Sequence, residues 1–319
     1  MPSSSSPSSK LVTPLGAAAL AALIACGSSA GAPPDAMTSA APDAAAPATT
    51  TPEGGTTSDA EAPDAAAPDA AVPSRCKVTD TSVSCTHVVT RLVAGTAARD
   101  VYWQTPATPP PAGGYPVVVL YQGSYFGPSI TWGELTPSTA YGGFHQGRLQ
   151  AMLLDNGFTV IAPEAAAGVA WQTNSAVPYE LSTDKDVIDK LLAAIAKGEF
   201  GPANLTRLYA TGISSGGYMS SRMAVSHPGK FRALAIQSAS YATCLGAVCS
   251  IPSSLPADHP PTLFLHGALD TTVPLSTAER YYDKLVASGF ETSKIVDDAA
   301  GHEWLAVSPV RITEWFVNH

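Results

Sequence analysis

Apolar positions along this chain follow two regimes. From Tyr115 onward, short continuous apolar runs alternate with longer stretches of helical spacing. Tyr115-Pro116-Val117-Val118-Val119-Leu120-Tyr121 shows no polar alternation, the pattern of a strand buried on both faces of a parallel sheet. Residues 158–162, 205–213, 231–237 and 262–266 read as further strands, and 294–297 as a short last one. Between them, 145–156, 184–196, 215–226, 277–287 and 308–318 read as helices. Thr183 stands where a cap of the 184–196 helix belongs, and Gly289 lies just past the end of 277–287. Residues 86–106 read as antiparallel leading strands. Repeated strand–helix units predict an α/β fold, with a mostly parallel central sheet flanked by helices.

The first 75 residues show neither period. A polar start reaches Lys10, an apolar stretch covers 11–25, and the segment ends Leu23-Ile24-Ala25-Cys26-Gly27. A positive start, a short apolar core and small residues at the exit are the features of an export signal. The Cys after Leu-Ile-Ala resembles the lipobox of bacterial lipoproteins, which implies cleavage before Cys26 and a lipid on its sulfur. The membrane is then a partner; an ordinary signal peptide that contains a Cys is the alternative. Residues 27–75 are rich in Ala, Pro, Thr, Ser and Asp, with Pro-Asp-Ala-Ala-Ala-Pro at 42–47 and 63–68. Such a tract buries too little apolar surface to offset its ordering entropy, and its prolines favour an extended spacer. The expected division is a lipoprotein signal over 1–26, a linker over 27–75 and a catalytic domain over 76–319. The expected location is the cell envelope, or the outside of the cell without the lipid.

Charge narrows the partners. The chain of 319 residues carries a net charge of −9, and 13% of its residues are charged. That balance argues against nucleic acid, whose phosphates need a basic footprint. No run reaches the roughly 18 apolar residues of a spanning helix. Nothing calls for an obligate protein partner. With Cys26 set aside, four of the five cysteines remain: Cys76, Cys85, Cys244 and Cys249. Their spacings fit no common zinc pattern. An exported context allows disulfides, and the two local pairings, Cys76 with Cys85 and Cys244 with Cys249, are expected.

One turn carries candidate chemistry. Gly212-Ile213-Ser214-Ser215-Gly216 is a G-x-S-x-G motif, placed where an apolar strand ends and a helix begins. That setting is what a nucleophile elbow requires, so Ser214 is the candidate nucleophile. A serine needs a base, and in this fold the chain order is serine, acid, histidine. Of seven histidines, His302 in Gly301-His302-Glu303-Trp304 lies on a loop after the last strand. His266 ends an apolar strand and His319 ends the chain, which suits neither to the role. Asp270, on the loop beyond the 262–266 strand, is the candidate acid; Asp297 and Asp298 lie too close to His302 in sequence. Two backbone donors would form an oxyanion hole: the amide of Ser215, and one from Gly123 or Ser124 in the loop after 117–121. Neither a metal nor an organic cofactor is implied.

The stretch 212–225, GISSGGYMSSRMAV, resembles extracellular medium-chain-length polyhydroxyalkanoate depolymerases. So does 231–244, FRALAIQSASYATC, and more loosely His266-Gly267 to Asp270 and Gly301-His302. The resemblance implies an α/β-hydrolase fold, cleavage of ester bonds in storage polyester, and a triad at Ser214, Asp270 and His302. The family is secreted free, so a lipid anchor would be a departure. The short stretch between the 231–237 and 262–266 strands leaves no room for a large lid, which suits a polymer chain. Trp132, Trp171 and Trp304 fall on predicted loops and are candidate contacts for apolar side chains of a polyester. The lack of an appended binding module is expected for a medium-chain rather than a short-chain polyester. A general carboxylesterase, a feruloyl-type esterase and a short-chain polyester esterase remain alternatives, and so does a non-catalytic surface lipoprotein.

Overall fold

The computed structural model describes residues 73–173, 178–242, 244–245 and 248–319. The leader with Cys26 and the tract up to residue 72 lie outside the described residues. Strands β1 (Cys76–Val78) and β2 (Val83–Cys85) pair antiparallel, and the Cys76–Cys85 disulfide closes that hairpin. β3 (Val88–Ala94) and β4 (Ala97–Gln104) form the leading antiparallel pair. There follow β5 (Tyr115–Tyr121), α1 (Pro128–Thr131), α2 (Gly143–Asp155), β6 (Thr159–Pro163), α3 (Thr183–Ala196) and β7 (Ala203–Ile213). α4 (Ser215–Ser226) and β8 (Ala233–Gln237) come next, then a small hairpin of β9 (Cys244–Leu245) and β10 (Val248–Cys249) closed by the Cys244–Cys249 disulfide. The chain ends with β11 (Thr262–Gly267), α5 (Leu275–Ala287), β12 (Thr292–Asp297) and α6 (Ser308–Asn318).

Eight strands form the main sheet in the order β12-β11-β8-β7-β5-β6-β4-β3. The strands from β12 to β6 run parallel; β4 runs antiparallel to β6 and β3 closes that edge. Alternation along β5 explains its unbroken apolar run. Val118 and Leu120 pack on one face with Leu149 and Leu153 of α2 and Phe316 of α6. Val117, Val119 and Tyr121 pack on the other with Leu191 of α3 and Met219 and Met223 of α4. Every residue of β5 is therefore buried, as the period of two requires for a strand covered on both faces.

The cap of α3 is Ser182 rather than Thr183: the Ser182 hydroxyl accepts from the Lys185 amide at 3.2 Å. Ser182 keeps an extended backbone, φ −86° and ψ 151°, whereas Thr183 is already the first helical residue, and only the former geometry turns a side-chain oxygen back onto the helix. Residues 238–261 between β8 and β11 insert no lid domain; their described residues form the disulfide-closed hairpin and turns. Among the described residues no helix is long and apolar enough to cross a membrane.

Candidate active site

Ser214 is the single residue between β7 and α4. Its backbone sits at φ 55° and ψ −121°, a conformation that side-chain-bearing residues rarely adopt and that costs about 1–3 kcal/mol. Glycines make the turn possible. A Cβ at Gly212 would lie 2.5 Å from the Tyr121 carbonyl oxygen, and one at Gly216 would strike the Tyr121 and Gln122 carbonyls. The elbow is thus pressed against the end of β5. The Ser214 amide donates to the Gln237 carbonyl at 3.0 Å, which pins the elbow to β8 as well. The N-terminus of α4 directly behind favours developing negative charge.

Asp270 and His302 meet at the same end of the sheet. His302 Nδ1 lies 2.7 Å from Asp270 Oδ2. A carboxylate only accepts, so Nδ1 carries the proton and Nε2 keeps its lone pair. The other Asp270 oxygen accepts from the Thr272 and Val273 amides at 2.9 and 2.8 Å. His266 Nε2 donates to the Val273 carbonyl at 2.8 Å and lies 3.4 Å from Asp270 Oδ2. Burial pushes the Asp270 carboxyl up; the bonds from His266, His302 and the Val273 amide outweigh it and hold the group well below the usual carboxylate range. That arrangement favours the ionised form of Asp270. His266 thus supports the Asp270 carboxylate from the end of β11, a use the apolar strand pattern around it did not reveal.

The loop bearing His302 is carried over the end of β8, the strand between β7 and β11. The Glu303 carbonyl accepts from Gln237 Nε2 at 2.8 Å and from Ser238 Oγ at 3.1 Å. Gln237 Oε1 in turn accepts from Ser308 Oγ of α6 at 2.6 Å. Because Ser214 follows β7 and Asp270 follows β11, this seat puts the imidazole loop between the serine and the acid. Ser214 Oγ and His302 are not hydrogen-bonded in this state, a contact that commonly tightens only with substrate bound. Gln237 was invisible in the sequence, where it reads as the polar end of a strand.

The loop after β5 lies against the nucleophile: a Cβ at Gly123 would be 4.0 Å from Ser214 Cβ. The Tyr125 amide is taken by the Val169 carbonyl at 2.7 Å, so the candidate donors of this loop remain Gly123 and Ser124, with Ser215 the candidate on the other side. Gln122 holds the loop from beneath. It accepts from the Ala165 amide at 3.0 Å and donates to the Gly168 carbonyl at 3.1 Å.

The three tryptophans are not surface contacts. Trp132, Trp171 and Trp304 are 2%, 5% and 1% exposed. Trp171 braces the site from inside: its backbone amide donates to Ser215 Oγ at 2.9 Å and its indole N–H to the Gln122 carbonyl at 3.2 Å. Its ring packs edge-on against Tyr121. The Trp304 indole donates to Gln146 Oε1 at 3.0 Å and anchors the loop two residues beyond His302. Trp132 packs beside His87. A buried indole usually finds an acceptor for its N–H, as those of Trp171 and Trp304 do. The exposed rings at the site are tyrosines: Tyr141, whose ring stands edge-on 6.4 Å from that of His302, and Tyr125 in the loop after β5.

A parallel sheet with helices on both faces, a serine elbow after a central strand and an acid–histidine pair on the later loops together define an α/β-hydrolase. The chain resembles a putative dienelactone hydrolase from Klebsiella pneumoniae subsp. pneumoniae MGH 78578, at TM-score 0.51 and 20% identity, over 73% of this chain and 99% of that one. It resembles a thermostable esterase at TM-score 0.51 and 16% identity, over 73% and 59% of the two chains. At such identities the likeness concerns the fold. Sequence goes further: over 241 residues the chain is 53% identical to a poly(3-hydroxyoctanoate) depolymerase of Pseudomonas fluorescens, covering 74% of this chain and 86% of that protein. The chain belongs to that depolymerase family. No family model matches it.

Proposed function

We propose that this protein is a serine esterase that hydrolyses the ester bonds of medium-chain-length poly(3-hydroxyalkanoate), with residues 76–319 as its catalytic domain. The observation that carries the chemistry is the 2.7 Å bond between His302 Nδ1 and the buried Asp270 carboxylate, beside the strained Ser214 elbow. The substrate rests on the name of the Pseudomonas fluorescens relative.

In this reading Ser214 Oγ attacks the ester carbonyl carbon while His302 Nε2 takes its proton. Asp270 stabilises the imidazolium and does not itself take the proton. The oxyanion is held by the amides of Ser215 and of Gly123 or Ser124. His302 then protonates the departing alkoxide, so the hydroxyl-bearing chain end leaves. Water, deprotonated by His302, attacks the acyl-Ser214 ester and releases the hydroxyacid end with the serine restored. Export by the leader, with a lipid on Cys26 holding the enzyme to the envelope through the 27–75 tether, completes the reading; Cys26→Ser should release active enzyme from membranes into the medium.

The test is clearing of emulsified medium-chain polyester by the full chain, beside a short-chain polyester and a p-nitrophenyl ester series, with Ser214→Ala as control. Clearing lost in Ser214→Ala, by several orders of magnitude in rate, is the expected result. Hydrolysis of soluble esters without clearing would move the substrate to small esters, and unchanged turnover in Ser214→Ala would end the triad assignment.

A further inference from the structure

We propose that Tyr125, Tyr141 and Leu269 form an apolar rim around the Ser214–His302 site that grips the alkyl side chains of the polyester. The proposal rests on the polyester reading above and adds the residues that would hold the polymer. The three side chains are 68%, 52% and 62% exposed. They come from two loops and a short 3-10 turn over Ala140–Gly142, each of which also carries or touches a candidate catalytic group. Tyr125 lies two residues beyond Gly123 in the oxyanion loop. The Tyr141 ring meets that of His302, and Leu269 precedes Asp270.

Exposed apolar side chains on loops are common and need no explanation singly. These differ in how they are held. The Tyr125 amide donates to the Val169 carbonyl at 2.7 Å, the Tyr141 carbonyl accepts from the Trp304 amide at 3.0 Å, and the Leu269 amide donates to the Ala300 carbonyl at 3.0 Å. Both tyrosines have left-handed backbones, φ 61° and 56°, which a bulky residue adopts only where the surroundings impose it. Phe126 stands edge-on to Tyr141 and fixes that ring from behind. The backbone is thus fixed while the side chains stay in water.

The occupant follows from charge and continuity. Residues 122–147, which bear both tyrosines, include a single carboxylate, Glu134, and no Lys or Arg. A soluble acid or sugar ester would gain little from such a wall. A water-insoluble polyester with apolar side chains would be desolvated along it while its backbone ester reaches Ser214. Side chains on a backbone already fixed, with the Tyr141 ring held by Phe126, bind with less loss of freedom.

The experiment separates binding from turnover. Full-length Ser214→Ala is adsorbed to medium-chain polyester granules, and the isotherm is compared with those of Ser214→Ala carrying Tyr125→Asn and Tyr141→Asn together, or Leu269→Ser. Asparagine tolerates the left-handed backbone, and thermal melts confirm folding. The tyrosine pair should weaken adsorption at least about tenfold, and Leu269→Ser less. Tyr125→Phe with Tyr141→Phe keeps the rings and should adsorb like the parent. Equal adsorption with and without the tyrosines overturns the rim, and so does loss in the phenylalanine pair. If the parent itself fails to adsorb and the wild type fails to clear the polymer, the polyester reading fails instead.

Discussion

Replacing Trp171 with phenylalanine tests whether that ring braces the site or meets substrate. The change removes the indole N–H that donates to the Gln122 carbonyl at 3.2 Å. It leaves a buried acceptor without that partner, at about 1–3 kcal/mol. It also empties roughly 40 Å³ beside Tyr121, at about 24 cal/mol per Å³, or about 1 kcal/mol. The Trp171 amide bond to Ser215 Oγ survives, because it is backbone. The sum is about 2–4 kcal/mol, which for a domain of this size lowers Tm by roughly 5–15 °C. Loosening Gln122 also loosens Gly123, so kcat on soluble esters should fall by about tenfold, equally at all acyl lengths. Thermal melts and a p-nitrophenyl ester series read both quantities. An unchanged Tm, with a loss confined to long acyl chains or polymer, would mean that the indole faces substrate and that the brace is wrong.

Asp270→Asn removes the charge that stabilises the imidazolium and disturbs the His302 tautomer; kcat should fall by about 10⁴ with little change in KM, and a loss below tenfold would remove Asp270 from the triad. Gly216→Ala places a methyl on the Tyr121 and Gln122 carbonyls, backbone that cannot yield, so inactive or insoluble protein is expected, and a wild-type melt with full activity would refute the packing of the elbow. His259 donates from Nδ1 to the Pro260 carbonyl and accepts from the Tyr281 hydroxyl, and burial lowers it from 6.5 to about 4. The unfolded chain therefore binds a proton that the fold refuses, so stability falls as pH drops from about 6.5 to about 4. Asp270, lowered instead, gives its stability above the unfolded carboxylate range and loses it only in stronger acid. Melts across pH 7 to 4 should show a shallower slope in His259→Gln, and an identical slope would refute the assignment.

The fold was legible because burial writes its period into the chain. β5 and β11 are buried along their whole length and stand out as apolar runs, β7 is buried over its second half, and α4 begins at the residue expected. Ser214, Asp270 and His302 became candidates because loop position at strand ends is a property of order along the chain, and the structure puts Asp270 and His302 in contact. What stayed hidden depends on direction in space. Sequence marks Trp171 as a loop aromatic, yet whether its donor turns inward depends on a carbonyl 49 residues away. Gln122 and Gln237 are single polar residues at strand ends, and their roles exist only once three loops converge on them. The exposed tyrosines were missed for the complementary reason: nothing in a residue's identity announces a left-handed backbone.

The seat of the His302 loop has a practical consequence. One amide, Gln237, connects β8, the Glu303 carbonyl and Ser308 at the head of α6. The Arg232 guanidinium holds the far end of that helix through the His319 carbonyl. Through Gln237, α6 is tied by hydrogen bonds to the loop that carries His302. An affinity handle or fusion partner that strains α6 would bear on that loop, so such variants are better screened by activity than by expression alone. Handles are better carried in the Ala/Pro-rich tract ahead of Cys76, and libraries aimed at faster polyester turnover should leave α6 and Gln237 untouched.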